Sequence, residues 1–335
     1  MKKKVIFIAE AGVNHNGSLA IAKKMVKIAS YSKCDFIKFQ TFDPDTLVSR
    51  SLSMTKYQRK NIKAAKTQNQ MLRELKLSEN DHMELVKECK KKKIKFLSTA
   101  FDIKSLQFLL KIGLKIIKIP SGEITNTPFL EFIGKQNKKV ILSTGMSNMK
   151  EIKHALNIII KNGTKKKNIT VLHCNSEYPT PFKDVNLRAM LSIKNKFNID
   201  VGYSDHTLGS SVPIAAVALG ASIIEKHFTI DKNMIGPDHK ASLEAIKLKQ
   251  LVQDIRNIEL SLGSKIKKVS PSEKKNLRFI RKSIHTKKKI NKNQILTEDD
   301  LQILRPEGGL HPKFFRKIIG KKSKKKYPTG VKFYG

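Results

Sequence analysis

One pattern recurs along these 335 residues. A short run rich in β-branched residues ends in polar residues, and a segment of helical period follows. The runs lie at 5–9, 35–39, 95–98, 116–119, 140–142, 169–173, 199–203 and 222–226. Helical patterns follow at 19–30, 80–92, 105–112, 128–134, 150–161, 186–196, 212–219 and 243–262. Eight βα units within about 260 residues match the count and length of a TIM (β/α)8 barrel. A doubly wound open sheet needs fewer strands and a Gly-rich first turn, which Asn14, His15, Asn16 and Gly17 match poorly. The expected organisation is therefore a barrel at 1–263, a linker at 264–277 and a small, mostly β domain of short strands and turns at 278–335. An insertion at 44–77, with a helical part around 58–75, falls between the second and third strands. That is the βα side, where insertions shape active sites.

The last two runs carry the sharpest chemical signal. Each ends in a histidine, His206 and His227, and the small apolar segment between them reads as a short buried helix closed by Gly220. A βαβ unit sets parallel strands side by side with their C-terminal ends together. Two imidazoles on neighbouring strand ends can bind a divalent metal and leave positions open for water or substrate. A histidine that merely bonds loop backbone is the plainer reading for either one alone; their matched placement favours a ligand pair.

Other strand ends supply a consistent set: Glu10, Lys38, Gln40, Ser98, Thr99, Lys118, Ser121, Glu123, Ser143, Thr144, Asn175, Ser176, Ser204 and Asp205. Lys38 and Lys118 each interrupt an apolar strand, and a buried ammonium needs an anionic partner. One such lysine suits a carboxylate or a Schiff base. Two with several hydroxyls suit a phosphate together with a carboxylate.

The net charge is +39, yet the lysines are spread over nearly every segment, with short runs at 90–93, 165–167 and 287–289. Tryptophan is absent, and no basic stripe interleaves with aromatic residues as nucleic-acid stacking modules require. Nucleic-acid binding is not expected. No apolar stretch is long enough to span a bilayer, and the basic N-terminus leads into a first strand rather than a signal peptide. Cys34, Cys89 and Cys174 lack metal or redox spacing, which points to reduced thiols in a cytoplasm.

Eight motifs together resemble one family. They are Ala-Glu-Ala-Gly-Val-Asn-His-Asn-Gly at 9–17, Ile-Lys-Phe-Gln-Thr at 37–41, Lys-Ile-Pro-Ser-Gly-Glu at 118–123 and Leu-Ser-Thr-Gly-Met at 142–146. The others are His-Cys-Asn-Ser-Glu-Tyr-Pro-Thr-Pro at 173–181, Gly-Tyr-Ser-Asp-His-Thr at 202–207, Glu-Lys-His-Phe-Thr at 225–229 and Gly-Pro-Asp at 236–238. Over almost its whole length the chain resembles the sialic acid synthases, which condense phosphoenolpyruvate with an acetamido sugar and end in an antifreeze-like SAF domain.

The resemblance implies that His206 and His227 hold manganese or magnesium. It implies that Lys38, Thr99, Lys118, Ser121, Ser143, Ser176 and Ser204 bind phosphoenolpyruvate. Gln40, Glu123, Tyr178, Asp238 and Arg305 would face the sugar, and Glu10 would be an acid beside the reacting carbons. It further implies a homodimer in which each SAF tail covers the other chain's site. Carbon 3 of phosphoenolpyruvate would attack a metal-polarised sugar aldehyde, water would add at carbon 2, and phosphate would leave. Glu307, Gly308 and Gly309 replace the family's usual Gly-Asn-Gly type of turn beside Arg305, and Ala100 stands where many relatives have proline.

Three functions compete on the sequence. The first is a nonulosonate synthase, with wording closest to legionaminate-type synthases acting on 2,4-diacetamido-2,4,6-trideoxymannose, or alternatively an N-acetylneuraminate synthase acting on N-acetylmannosamine. The second is a barrel enzyme using a phosphorylated aldose, which would call for a second phosphate cluster. The third is a basic barrel binding an anionic polymer, which would leave the strand-end chemistry unexplained.

Overall fold

The computed structural model describes residues 4–62, 65 and 67–335, and the chain divides after Gly263 into two compact units. In the first, eight parallel strands close into a barrel in sequence order. They are β1 (Ile6–Gly12), β2 (Phe36–Thr41), β3 (Lys95–Ala100), β4 (Ile116–Ile119), β5 (Lys139–Ser143), β6 (Ile169–Cys174), β7 (Asp200–Asp205) and β8 (Ile223–His227). Closure comes from β1, which pairs with both β2 and β8. Such strands are buried on both faces, so their sequences read as nearly continuous apolar runs rather than as alternation.

Several helices of the outer layer start where the sequence supplies a side-chain cap. Met149–Lys161 begins at Asn148, whose side chain and that of Glu151 form a capping box, and it buries Ile152, Ala155, Leu156 and Ile159 against the sheet. Glu79–Lys91 begins the same way at Ser78 with Asp81.

The strand register decides which side chains share a level. Glu10 lies beside Lys38 on one side and His227 on the other. Thr99 lies beside Lys118, Cys174 beside Ser204, and Ser204 beside Glu225. These residues occupy successive levels at the C-terminal mouth, Glu225 one level below His227 on β8, above an apolar interior.

Local structure departs from the sequence reading in two places within this unit. First, β1 runs past 9 to Gly12 through a register shift between Glu10 and Gly12. Gly12 has φ +52°, and a Cβ there would come within 3.2 Å of the His227 ring. Glycine takes that conformation without strain and spares the imidazole a crowded contact. Second, the helical part of the insertion is two helices, Lys56–Asn61 and Gln68–Leu75. The first ends where Ile62 turns extended, and Thr67, itself extended and bridged to Ser53, caps the second.

The second unit opens with a helix, Pro271–Ile280, inside and beyond the stretch expected as a linker; Ser270 and Glu273 cap it. Two short strands, β9 (Ser283–Thr286) and β10 (Leu301–Leu304), pair antiparallel. Ile284, Ile290, Leu296, Leu301, Tyr327 and Phe333 make this unit's own core.

Candidate active site

The mouth of the barrel holds a cavity of about 260 Å³. Its floor is built from the strand-end residues described above. Lys38 and Lys118 are each 3 % exposed, so their charges must be met by protein or ligand. Lys38 Nζ lies 2.9 Å from Glu10 Oε2 and 3.6 Å from Glu225 Oε2, and donates to Thr99 Oγ1 at 2.9 Å. Lys118 Nζ lies 3.4 Å from Glu225 Oε1 and donates to Ser143 Oγ at 2.8 Å. Ser204 Oγ donates to Glu225 Oε1 at 3.0 Å. Two buried ammonium groups and two buried carboxyl groups thus interlock.

The two acids are not equivalent. Burial lifts the Glu10 carboxyl above the usual range, and Lys38 only partly offsets it. Burial works against Glu225 too, but two ammonium groups face it and hold its carboxyl below the usual range. The negative charge of the floor therefore resides on Glu225, while Glu10 is poised to carry a proton.

His206 and His227 meet at the same mouth, with ring centroids 5.4 Å apart. His206 Nδ1 donates to the Asn175 carbonyl, which leaves the Nε2 lone pair free. His227 Nδ1 is buried without a hydrogen-bond partner. Burial pushes the His206 pKa down to about 4 and that of His227 well below its usual value, so both rings are neutral, as metal ligands must be. This donor set fits a divalent ion. Among the described residues no group of three or more His, Cys, Asp or Glu side chains is placed to hold one, so two imidazoles would leave the remaining positions to water and substrate.

Tyr178 packs over His206 at a centroid distance of 4.0 Å. Asp238 also lines the cavity, and burial alone raises its carboxyl to about 7. Of the residues singled out from the sequence, Glu10, Lys38, Gln40, Thr99, Lys118, Ser121, Ser143, Ser176, Tyr178, Ser204, His206, His227 and Asp238 all line this one cavity. Glu123 does not. It sits on the turn Ser121–Glu123, where Asn126 Nδ2 donates to its carboxylate at 2.6 Å. Arg305 belongs to the second unit, on an exposed stretch just after β10.

Sequence reasoning did not single out Glu225, the counter-ion shared by both lysines. Its signal was present: it stands two residues before His227, hence on the same face of β8. Tyr57, Gln58, Met71, Leu72 and Leu75 of the insertion also line the cavity. The insertion's position pointed to them as a group, but not individually.

Comparison with known proteins bears on both units. The NeuB family model matches residues 25–267 and the SAF domain model residues 281–330. The N,N'-diacetyllegionaminic acid synthase of Campylobacter jejuni subsp. jejuni is 52 % identical over 325 residues, 97 % of each chain. That of Legionella pneumophila is 44 % identical over 315 residues, 93 % of this chain and 88 % of its own. Among solved structures, the N-acetylneuraminic acid (sialic acid) synthetase of Leptospira borgpetersenii superposes with a TM-score of 0.73 at 34 % identity, covering 82 % of this chain and 90 % of that one.

Proposed function

The chain belongs to the NeuB family and carries a SAF domain, and from that premise we propose that it is a nonulosonate synthase. It condenses phosphoenolpyruvate with 2,4-diacetamido-2,4,6-trideoxymannose to give N,N'-diacetyllegionaminate and phosphate. The observation that carries this reading is the cavity lining, where two buried ammonium groups with hydroxyl partners share one cavity with a pair of imidazoles. The choice of acceptor rests on the likeness to the two legionaminic acid synthases.

In this reading the phosphate and carboxylate of phosphoenolpyruvate lie on Lys38 and Lys118 and on the hydroxyls of Thr99, Ser121, Ser143, Ser176 and Ser204. Carbon 3 forms the new bond to the open-chain aldehyde, water adds at carbon 2, and the C–O bond to phosphate breaks. A divalent metal held by His206 and His227 would supply Lewis-acid polarisation of the aldehyde. Glu10, whose carboxyl burial raises to about 7, can take up and release a proton beside the reacting carbons near neutral pH. Gln40, Tyr178 and Asp238 orient the sugar, with Glu123 at the edge of the site.

The same reading pairs two copies so that each SAF tail, with Arg305, completes the other's site. It places the enzyme in the cytoplasm, in keeping with three buried free cysteines. Among the described residues no helix is long and apolar enough to cross a membrane.

The test is direct: purified protein is given phosphoenolpyruvate, manganese and either 2,4-diacetamido-2,4,6-trideoxymannose or N-acetylmannosamine. Phosphate release and a product of legionaminate mass are expected with the first acceptor. Turnover of N-acetylmannosamine alone would move the enzyme to N-acetylneuraminate synthesis, and turnover of neither would overturn the reading.

A further inference from the structure

The cavity has two sides of different chemistry. Its floor, from the strand ends, is charged and hydroxylated. Its other side comes from the insertion, which contributes Tyr57, Gln58, Met71, Leu72 and Leu75, none of them charged. Val13 and Phe101, from the loops after β1 and β3, extend that apolar side.

This wall is firmly built. Met71 and Leu75 pack with Val13, Phe42, Met54, Ile62 and Ala65 in an apolar cluster separate from the barrel core. Gly17 has φ +72°, and a Cβ on it would lie 2.3 Å from the Glu74 carbonyl oxygen. The loop after β1 and the helix Gln68–Leu75 therefore touch backbone to backbone, a contact only glycine permits. At the other end, Asn61 Nδ2 donates to the Pro237 carbonyl at 2.7 Å, next to Asp238. Tyr57 stacks on Tyr178 with centroids 5.4 Å apart. The insertion thus spans the mouth from the β1 side to the β6 and β8 loops, and both ends are tied down.

We propose that this wall selects the acceptor: Leu72, with Met71 and Tyr57, receives the methyl groups that distinguish a 4-acetamido-6-deoxy sugar from its 4,6-dihydroxy counterpart. The inference rests on the condensation reading above. With phosphoenolpyruvate on the lysines and hydroxyls of the floor, and Gln40, Tyr178 and Asp238 orienting the sugar, the insertion is the side of the cavity left to meet the part of the sugar remote from its aldehyde. A hydroxyl pressed against Leu72 and Met71 would lose its water without gaining a partner. A methyl in the same place gains by burial. One such group in an apolar pocket discriminates by about 10- to 200-fold. The wall also argues against a phosphorylated acceptor, since the lysines lining the cavity, Lys38 and Lys118, both belong to the floor.

The test compares kcat/KM for 2,4-diacetamido-2,4,6-trideoxymannose and N-acetylmannosamine in the wild type, Leu72→Asn, Leu72→Met and Tyr57→Ser. The wild type should favour the diacetamido sugar by about tenfold or more. Leu72→Asn should lower that ratio by about tenfold, chiefly through KM for the diacetamido sugar, with KM for phosphoenolpyruvate unchanged; Leu72→Met should keep it. Should Leu72→Asn fail to fold, Tyr57→Ser reads the same ratio from a half-buried position. A ratio unmoved in both polar variants, in an enzyme active on the diacetamido sugar, overturns the wall but leaves the condensation standing. A wild type inactive on both sugars overturns the condensation and the wall with it.

Discussion

Lys226 Nζ lies 2.5 Å from Asp205 Oδ2, and neither side chain has any exposed surface. The lysine also donates to the Thr207 carbonyl, and Asp205 Oδ1 accepts from the backbone N–H and the hydroxyl of Thr207. The pair bonds β8 to the end of β7 next to His227 and His206. Alternation along each strand turns it to the opposite side of the barrel wall from the two imidazoles. Removing one partner leaves a buried uncompensated charge, so Lys226→Met should cost about 3–5 kcal/mol in urea denaturation. Pairing it with Asp205→Leu should restore a large part of that loss. A single variant as stable as wild type would show that the pair is not a clamp.

Lys38→Met and Lys118→Met should each raise the phosphoenolpyruvate KM steeply. Each removes charge-assisted hydrogen bonds of about 1.5–3 kcal/mol, roughly 10- to 100-fold in affinity. Lys118→Met also strips Glu225 of one of its two cations. Borohydride added during turnover should trap neither lysine, and a covalent adduct seen by mass spectrometry would replace this chemistry with that of a Schiff-base aldolase.

Metal dependence follows from the His206 and His227 pair. Dialysis against a chelator should abolish synthesis, and manganese should restore it. His206→Ala and His227→Ala should each bind manganese more weakly by calorimetry and lose most activity. Full activity in protein shown to be metal-free would remove the two histidines from the mechanism.

Arg305 should affect the sugar and spare phosphoenolpyruvate. Arg305→Ala is expected to raise KM for the acceptor alone. Mixing it with His206→Ala and allowing subunit exchange should return part of the activity, because one site of the mixed dimer has an intact barrel and an intact tail. No recovery after verified exchange would mean that Arg305 does not act in trans.

Asp35 gives a pH dependence away from the active site. Burial opposes its ionisation, but Lys4 Nζ and Arg256 Nη2, each at 2.8 Å, and the Phe7 N–H at 2.9 Å outweigh it and hold the carboxyl below the usual range. Between its folded and unfolded pKa values the unfolded chain binds more protons, so stability rises with pH there. The contribution is complete above the ordinary carboxylate value of about 3.9 and fades as the pH falls through the folded value. Asp35→Asn should be less stable at neutral pH and should show a flatter acid limb in urea titrations. An unchanged acid limb would show that other carboxylates set it.

Much of this protein is legible in its sequence because the strand period is local. A run such as 199–203 followed by Ser204, Asp205 and His206 announces both a buried strand and a polar tip. Eight such runs with helices between them leave a closed barrel as the architecture that gathers the tips. Glu225 was within reach of the same rule, through its spacing from His227. The tertiary structure alone decided which charges meet. Glu225 on the last strand reaches Lys38 on the second because the barrel closes through β1, a condition on the whole chain that no local window contains. It also decided that Glu123, two residues from Ser121, turns to Asn126 and not into the cavity. Tyr57 finds Tyr178 by the same means, since the insertion's place is set by its own apolar cluster and by the close approach at Gly17. Contacts of this kind depend on packing between segments distant in the chain, and packing has no period to read.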